Sequence, residues 1–258
     1  MPILRVRLPR RAKTEFPQAV VNDVCRNLYA VDCQLCGKPL GIHVPALTVI
    51  DFDDSLQVIA HHETCSPPRW GRPVVLAERY FLSYRLLDLQ IPCTFLGGSA
   101  DGAKVDLPVL LVNPSLEAVF LARDEGGTWR VDTVDRYVRR GLRVGSPAIP
   151  LVAVPGSVAH LGLPVDGSSP ALTVQLSKKQ GWPLRVNRAI AADIRRLQGV
   201  ALVVTTALDP LGIGKGRVGE EFHALLRSGN CAAGWIPLAG TQRTFHGEPV
   251  AEWAIDRT

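Results

Sequence analysis

Two short stretches, Cys33-Gln34-Leu35-Cys36-Gly37 and His61-His62-Glu63-Thr64-Cys65, organise the first part of this chain. Together they spell C-x2-C-x25-H-x2-C. A two-residue gap lets both side chains of a pair reach one metal from a tight turn, and the long gap lets the chain fold back to bring the pairs together. Thiolate and imidazole donors at this spacing suit a tetrahedral zinc ion (Zn2+) held by Cys33, Cys36, His62 and Cys65. Gly37 supplies the positive φ that a cysteine knuckle requires. His61 is a competing ligand, because a four-residue separation from Cys65 is also about one helical turn. Asp51, Asp53, Asp54 and Glu63 are nearby acids that read first as solvated turn residues, with one of them able to accept the free ring N–H of a liganding histidine as the alternative. With four protein ligands the site is closed, which points to a structural metal.

The stretch between the pairs carries two strand patterns, Leu47 to Asp51 and Leu56 to Ala60, turned at Asp53-Asp54-Ser55. A C-x2-C-G knuckle, a hairpin and then H-x2-C resembles the first zinc site of a LIM domain, and more broadly a treble-clef finger. The resemblance covers Cys33 to Cys65 only. It implies a structural zinc on Cys33, Cys36, His62 and Cys65, and no family is recognised for the remainder.

Before the finger, five positive residues between Arg5 and Lys13 suggest a basic arm or edge strand. A helix follows over Pro17 to Tyr29, with Thr14 as its cap and Val20, Val21, Val24, Cys25 and Leu28 as its apolar stripe. After the finger, Ser66 to Pro73 holds three prolines and a glycine, which stop any regular element. The expected organisation is therefore a helix and zinc-finger module over residues 1–70 and an α+β body over 74–258.

In the body, a helix is expected over Ala77 to Leu89. Leu107 to Val112, Leu116 to Ala122 and Thr128 to Val131 suggest a three-stranded meander. Asp132 caps a short helix ending at Gly141, and Ile149 to Val154 and Ala171 to Leu176 have strand character. Asn187 caps a helix running to Gln198. Val200 to Ala207 is the strongest strand, followed by a helix from Val218 to Ser228 and a strand from Ala232 to Leu238. This order favours an α+β fold with a local βαβ unit near its end.

The 258 residues carry a net charge of +5, with 29 basic residues of which 23 are Arg. That balance favours acidic partners. Arg136, Arg139, Arg140, Arg195 and Arg196 are candidate nucleic-acid contacts, since arginine forks phosphate well. The competing reading is a solvated helix face in a sequence rich in residues with GC-rich codons. No apolar run approaches a membrane span and the first residues lack a secretory pattern, so a cytoplasmic protein is expected. In that compartment clustered cysteines are metal ligands. The sequence thus points to an intracellular zinc-finger protein that binds nucleic acid or a protein partner without catalysis. The alternatives are an enzyme of nucleotides or nucleic acid, using Gly214, Gly216 and Gly219 of a basic loop, and an assembly protein with a zinc staple.

Overall fold

The computed structural model describes residues 5–30, 32–52, 54–71, 87–95, 103–145, 151–162, 169–177, 180–206, 218–240 and 249–253. The fold is α+β, with helices and mixed sheets in two compact units. One unit comprises Met1–Arg85 and Asn113–Arg136, and the other Leu86–Val112 and Tyr137–Thr258.

The first unit opens with helix α1 (Arg10–Glu15) and helix α2 (Gln18–Asn27). Of the basic arm, Arg10, Arg11 and Lys13 lie in α1, while Arg7, before the helix, forms a bridge to Ala46; residues 1–4 lie outside the described residues. Arg11 and Glu15, one turn apart, form an ion pair of 2.5 Å on the surface of α1. Thr14 does not cap α2. Its hydroxyl donates to the Arg11 carbonyl within α1, and Pro17, with φ preset, occupies the cap position instead. Val20, Val24 and Leu28 recur every four residues and bury one stripe of α2 against the sheet core.

Strands β1 (Ala46–Asp51), β2 (Ser55–His61) and β3 (Arg69–Gly71) come next. β1 and β2 form the expected hairpin, closed by the Phe52 amide donating to the Ser55 carbonyl. The chain then enters the second unit through β4 (Leu87–Phe95) and β5 (Ala103–Val112). It returns with β6 (Ala118–Arg123) and β7 (Trp129–Val131). The strand order of the first sheet is β3-β1-β2-β6-β7, with β1 and β3 parallel and the other pairs antiparallel. Leu47, Val49, Leu56, Val58, Val119 and Leu121 alternate onto the face covered by the helices, as period-two side chains must. Ile50, Ile59, Ala118 and Phe120 form a second buried cluster.

The meander is corrected in part: β6 and β7 pair antiparallel as expected, but the first strand does not join them. β5 pairs with β4 and with a later strand of the second unit, whereas β6 pairs with β2. The Asn113-Pro114-Ser115 turn separates them: the Asn113 side chain accepts from the Ser115 amide and starts a 3-10 turn over Pro114–Leu116. Residues 87–89, expected at the end of a helix, open β4; the earlier part of that helix lies outside the described residues.

Helix α3 (Asp135–Val138) follows, and Gly141 after it has φ +101°. The second unit continues with β8 (Arg143–Val144), β9 (Leu151–Val152), β10 (Val158–Gly162), β11 (Ala171–Ser177) and β12 (Gln180–Arg185). Helix α4 (Arg188–Leu197), β13 (Gly199–Thr205), α5 (Val218–Ser228), β14 (Cys231–Pro237) and β15 (Pro249–Trp253) complete it. Its two sheets run β8-β14-β13-β5-β4-β15-β9 and β10-β11-β12. The Asn187 side chain accepts from the Ile190 amide, so the expected cap is present. α4 buries Ile190, Ala191, Ile194 and Leu197. The βαβ unit is a further correction: β13 and β14 flank α5 but pair antiparallel, and the parallel neighbour of β13 is β5. Gly199 admits no side chain, because a Cβ there would lie 2.6 Å from the Trp235 ring and from the Ile236 carbonyl.

Candidate metal centre

The first pair of ligands sits on a knuckle. The Cys33 amide donates to the Lys38 carbonyl at 2.8 Å, and the Gly37 amide donates to the Cys33 carbonyl at 2.8 Å. Closing so tight a loop needs the left-handed backbone at Gly37, where φ is +69°. The knuckle is tied to the sheet by the Gln34 amide, which donates to the Ala60 carbonyl of β2 at 3.1 Å. The second pair lies on the turn that ends β2, where the Cys65 amide donates to the His62 carbonyl at 3.0 Å. This turn stops after one winding. Where a treble clef continues into a helix, Pro67 and Pro68 intervene and the chain enters β3.

The donor atoms of Cys33, Cys36, His62 and Cys65 all lie within 4.8 Å of one another. Cys33 Sγ is 3.9 Å from Cys65 Sγ, and His62 Nδ1 is 3.5 Å from Cys36 Sγ and 3.8 Å from Cys65 Sγ. A tetrahedral zinc with Zn–S of about 2.3 Å and Zn–N of about 2.0 Å requires S···S of about 3.8 Å and S···N of about 3.5 Å. The donor set and these three separations therefore fit a tetrahedral, thiolate-rich metal centre. This is the only such group of donors among the described residues.

His62 and His61 differ in what engages their rings. His62 Nε2 lies 3.0 Å from the Pro39 carbonyl oxygen, which can only accept. Nε2 must then carry the proton, leaving the Nδ1 lone pair directed at the sulfurs. His61 is fully buried, with Nδ1 3.0 Å from the His62 carbonyl and Nε2 2.9 Å from Thr48 Oγ1. By the same reasoning its Nδ1 donates and its Nε2 accepts from Thr48, so both nitrogens are occupied. Burial pushes its pKa down, which keeps the ring neutral.

The group that orients the metal-facing histidine is thus a backbone carbonyl and not one of the nearby acids. Asp51 accepts from Trp70 Nε1 at 3.0 Å, and Glu63 pairs with Arg7 at 2.5 Å. No side-chain pattern announces a carbonyl acceptor, so residue types alone do not reveal Pro39.

The four residues of the cluster meet different environments. Cys33 is 1% exposed, and its sulfur accepts from the Leu35 and His62 amides, each at 3.4 Å. Such amides stabilise thiolate charge. Cys36 and Cys65 are exposed. A hydrogen bond with the Lys38 backbone holds the Cys36 thiol below its ordinary range. Desolvation, reinforced by hydrogen bonds with Cys36 and Cys33, pushes Cys65 up to about 11. Metal binding must therefore displace protons from this cluster, and its affinity should rise with pH.

The five candidate phosphate-binding arginines lie on two stretches of the chain, in and just after α3 and on α4. Arg136 belongs to the first unit, where its guanidinium lies 4.2 Å from the Phe120 ring centroid. Arg139 and Arg140 follow α3 in the second unit, and both are engaged by other groups. Arg195 and Arg196 share the exposed side of α4 with Arg188, and Arg196 pairs with Asp193 at 3.0 Å. The loop with Gly214 and Gly216 lies outside the described residues; Gly219 is in the first turn of α5. Among the described residues no helix is long and apolar enough to cross a membrane. No family model, curated protein or solved structure matches this chain.

Proposed function

We propose that Cys33, Cys36, His62 and Cys65 hold one structural zinc ion that clips the knuckle to the end of β2, in a protein whose role is non-enzymatic binding. The observation that carries this reading is the agreement between the sulfur and nitrogen separations and those of a tetrahedral zinc site. Bound zinc would supply cross-linking and charge neutralisation. The chain's own residues do the rest: the Leu35 and His62 amides support the buried thiolate, and the Pro39 carbonyl fixes the His62 tautomer. Four protein ligands leave no position for a reactive water. Elemental analysis of protein purified without added metal should find close to one equivalent of zinc. Less than about half an equivalent, with freely titratable thiols, removes the reading.

For the partner we favour nucleic acid, on the exposed arginines of α4 and the net charge of +5. Affinity for oligonucleotides should then fall steeply with salt as phosphates are neutralised and counterions released. Arg195→Ala with Arg196→Ala should flatten that dependence. A blank titration on single- and double-stranded DNA and on RNA would leave a protein partner as the preferred ligand.

A further inference from the structure

We propose that the metal centre is sensitive to peroxide, with Cys36 and Cys65 as the oxidisable pair whose disulfide displaces the metal. The proposal rests on the zinc reading above. It follows from the asymmetry of the three sulfurs. Cys33 is enclosed and its sulfur is already approached by two amides, so an oxidant has little access to it. Cys36 and Cys65 face solvent, on opposite segments of the clip, with their sulfurs inside the 4.8 Å cluster. Cys36, exposed on the knuckle, is the first sulfur an oxidant meets.

The chemistry balances with hydrogen peroxide as the oxidant. The Cys36 thiolate attacks one peroxide oxygen, the O–O bond breaks, hydroxide leaves, and Cys36 becomes a sulfenic acid. The Cys65 thiolate then attacks the Cys36 sulfur. The S–S bond forms, the S–O bond breaks, and a second hydroxide leaves. The two sulfurs together give up two electrons, and peroxide takes both; two protons convert the hydroxides to water. Only Cys33 and His62 then remain as ligands, too few for a structural zinc site. The new bond joins the same two segments that the metal joined, so the loop stays closed covalently, and a thiol reductant restores the ligands.

The test uses the full chain with its zinc content measured first. Stoichiometric hydrogen peroxide is added with a chromogenic zinc chelator present, followed by alkylation and peptide mapping. One zinc should be released per cross-link, with the mass lower by two hydrogens, Cys36 joined to Cys65, and Cys33 alkylated. Dithiothreitol with added zinc should restore metal content. A zinc-loaded chain that keeps both its metal and its reduced thiols overturns this proposal and leaves the zinc reading intact. A cross-link that includes Cys33 also overturns it. A chain without zinc before peroxide overturns it together with the zinc reading. The buried Cys231, whose thiol burial pushes up to about 11, is the internal control and should stay reduced.

Discussion

In the second unit, β13 is buried along all seven residues, and its neighbours β5 and β14 add further buried aliphatics and Trp235. In the first unit, residues 32–45 bury only Cys33, Gln34, Leu40 and Pro45. Full burial of a Val or Leu side chain contributes about 1.5–3 kcal/mol, so β13 is held by its apolar contacts. The knuckle buries one large aliphatic side chain, Leu40, with Leu35 partly buried beside the core, and has several exposed residues, Ile42 among them at full exposure. The Cys/His cluster that could hold a metal ion lies where apolar area runs short, and the two segments differ in this within one chain.

The sharpest way to break this contrast is to remove the clip. Chelation of the metal, or Cys33→Ser, should loosen residues 32–45, because structural zinc contributes on the order of 10 kcal/mol in small fingers. Hydrogen exchange should show protection lost at the Cys33 and Gly37 amides and retained in β13. Unchanged exchange at the knuckle after metal removal would mean that the contrast is false. Leu202→Ala is the reciprocal change. It should cost about 2–5 kcal/mol in denaturant unfolding of the second unit and leave zinc content untouched.

A finer test separates the two histidines. His62→Ala should abolish zinc retention. His61→Ala should retain zinc but destabilise by about 1–3 kcal/mol, since it leaves the buried Thr48 hydroxyl without its partner. Smallest in effect is Asn187→Ala, expected to lower stability by about 1 kcal/mol through loss of the α4 cap, with no change at the metal centre.

The elements with local signals were legible in the sequence. Asn187 capping α4, Gly229 at φ +69° ending α5, and the alternating β1–β2 hairpin each follow from residues a few positions apart. The clustering of Cys33, Cys36, His62 and Cys65 was legible for the same reason, since two x2 spacings record which side chains share a turn. Partner choice among strands was not. Nothing near Leu107 says that β5 pairs with β13, and nothing near Ala118 says that β6 pairs with β2, because pairing is decided by shape and burial across long separations. α1 was obscured by its charges, for only Ala12 of its six residues is buried. The choice between His61 and His62 was partly encoded. Period-two alternation puts His61 on the face of β2 opposite Leu56, Val58 and Ala60, and the histidine that joins the cysteine cluster is the first residue beyond the strand.

The first unit is interrupted in sequence: β2 finds its neighbour β6 only after the chain has been through β4 and β5. This fixes an order of events during synthesis. At about 5–20 residues per second, the knuckle and hairpin leave the ribosome several seconds before Ala118 does. During that interval the β2 edge has no strand to pair with, while all four metal ligands are already made. Loading zinc at that stage would hold the nascent hairpin closed until β6 arrives.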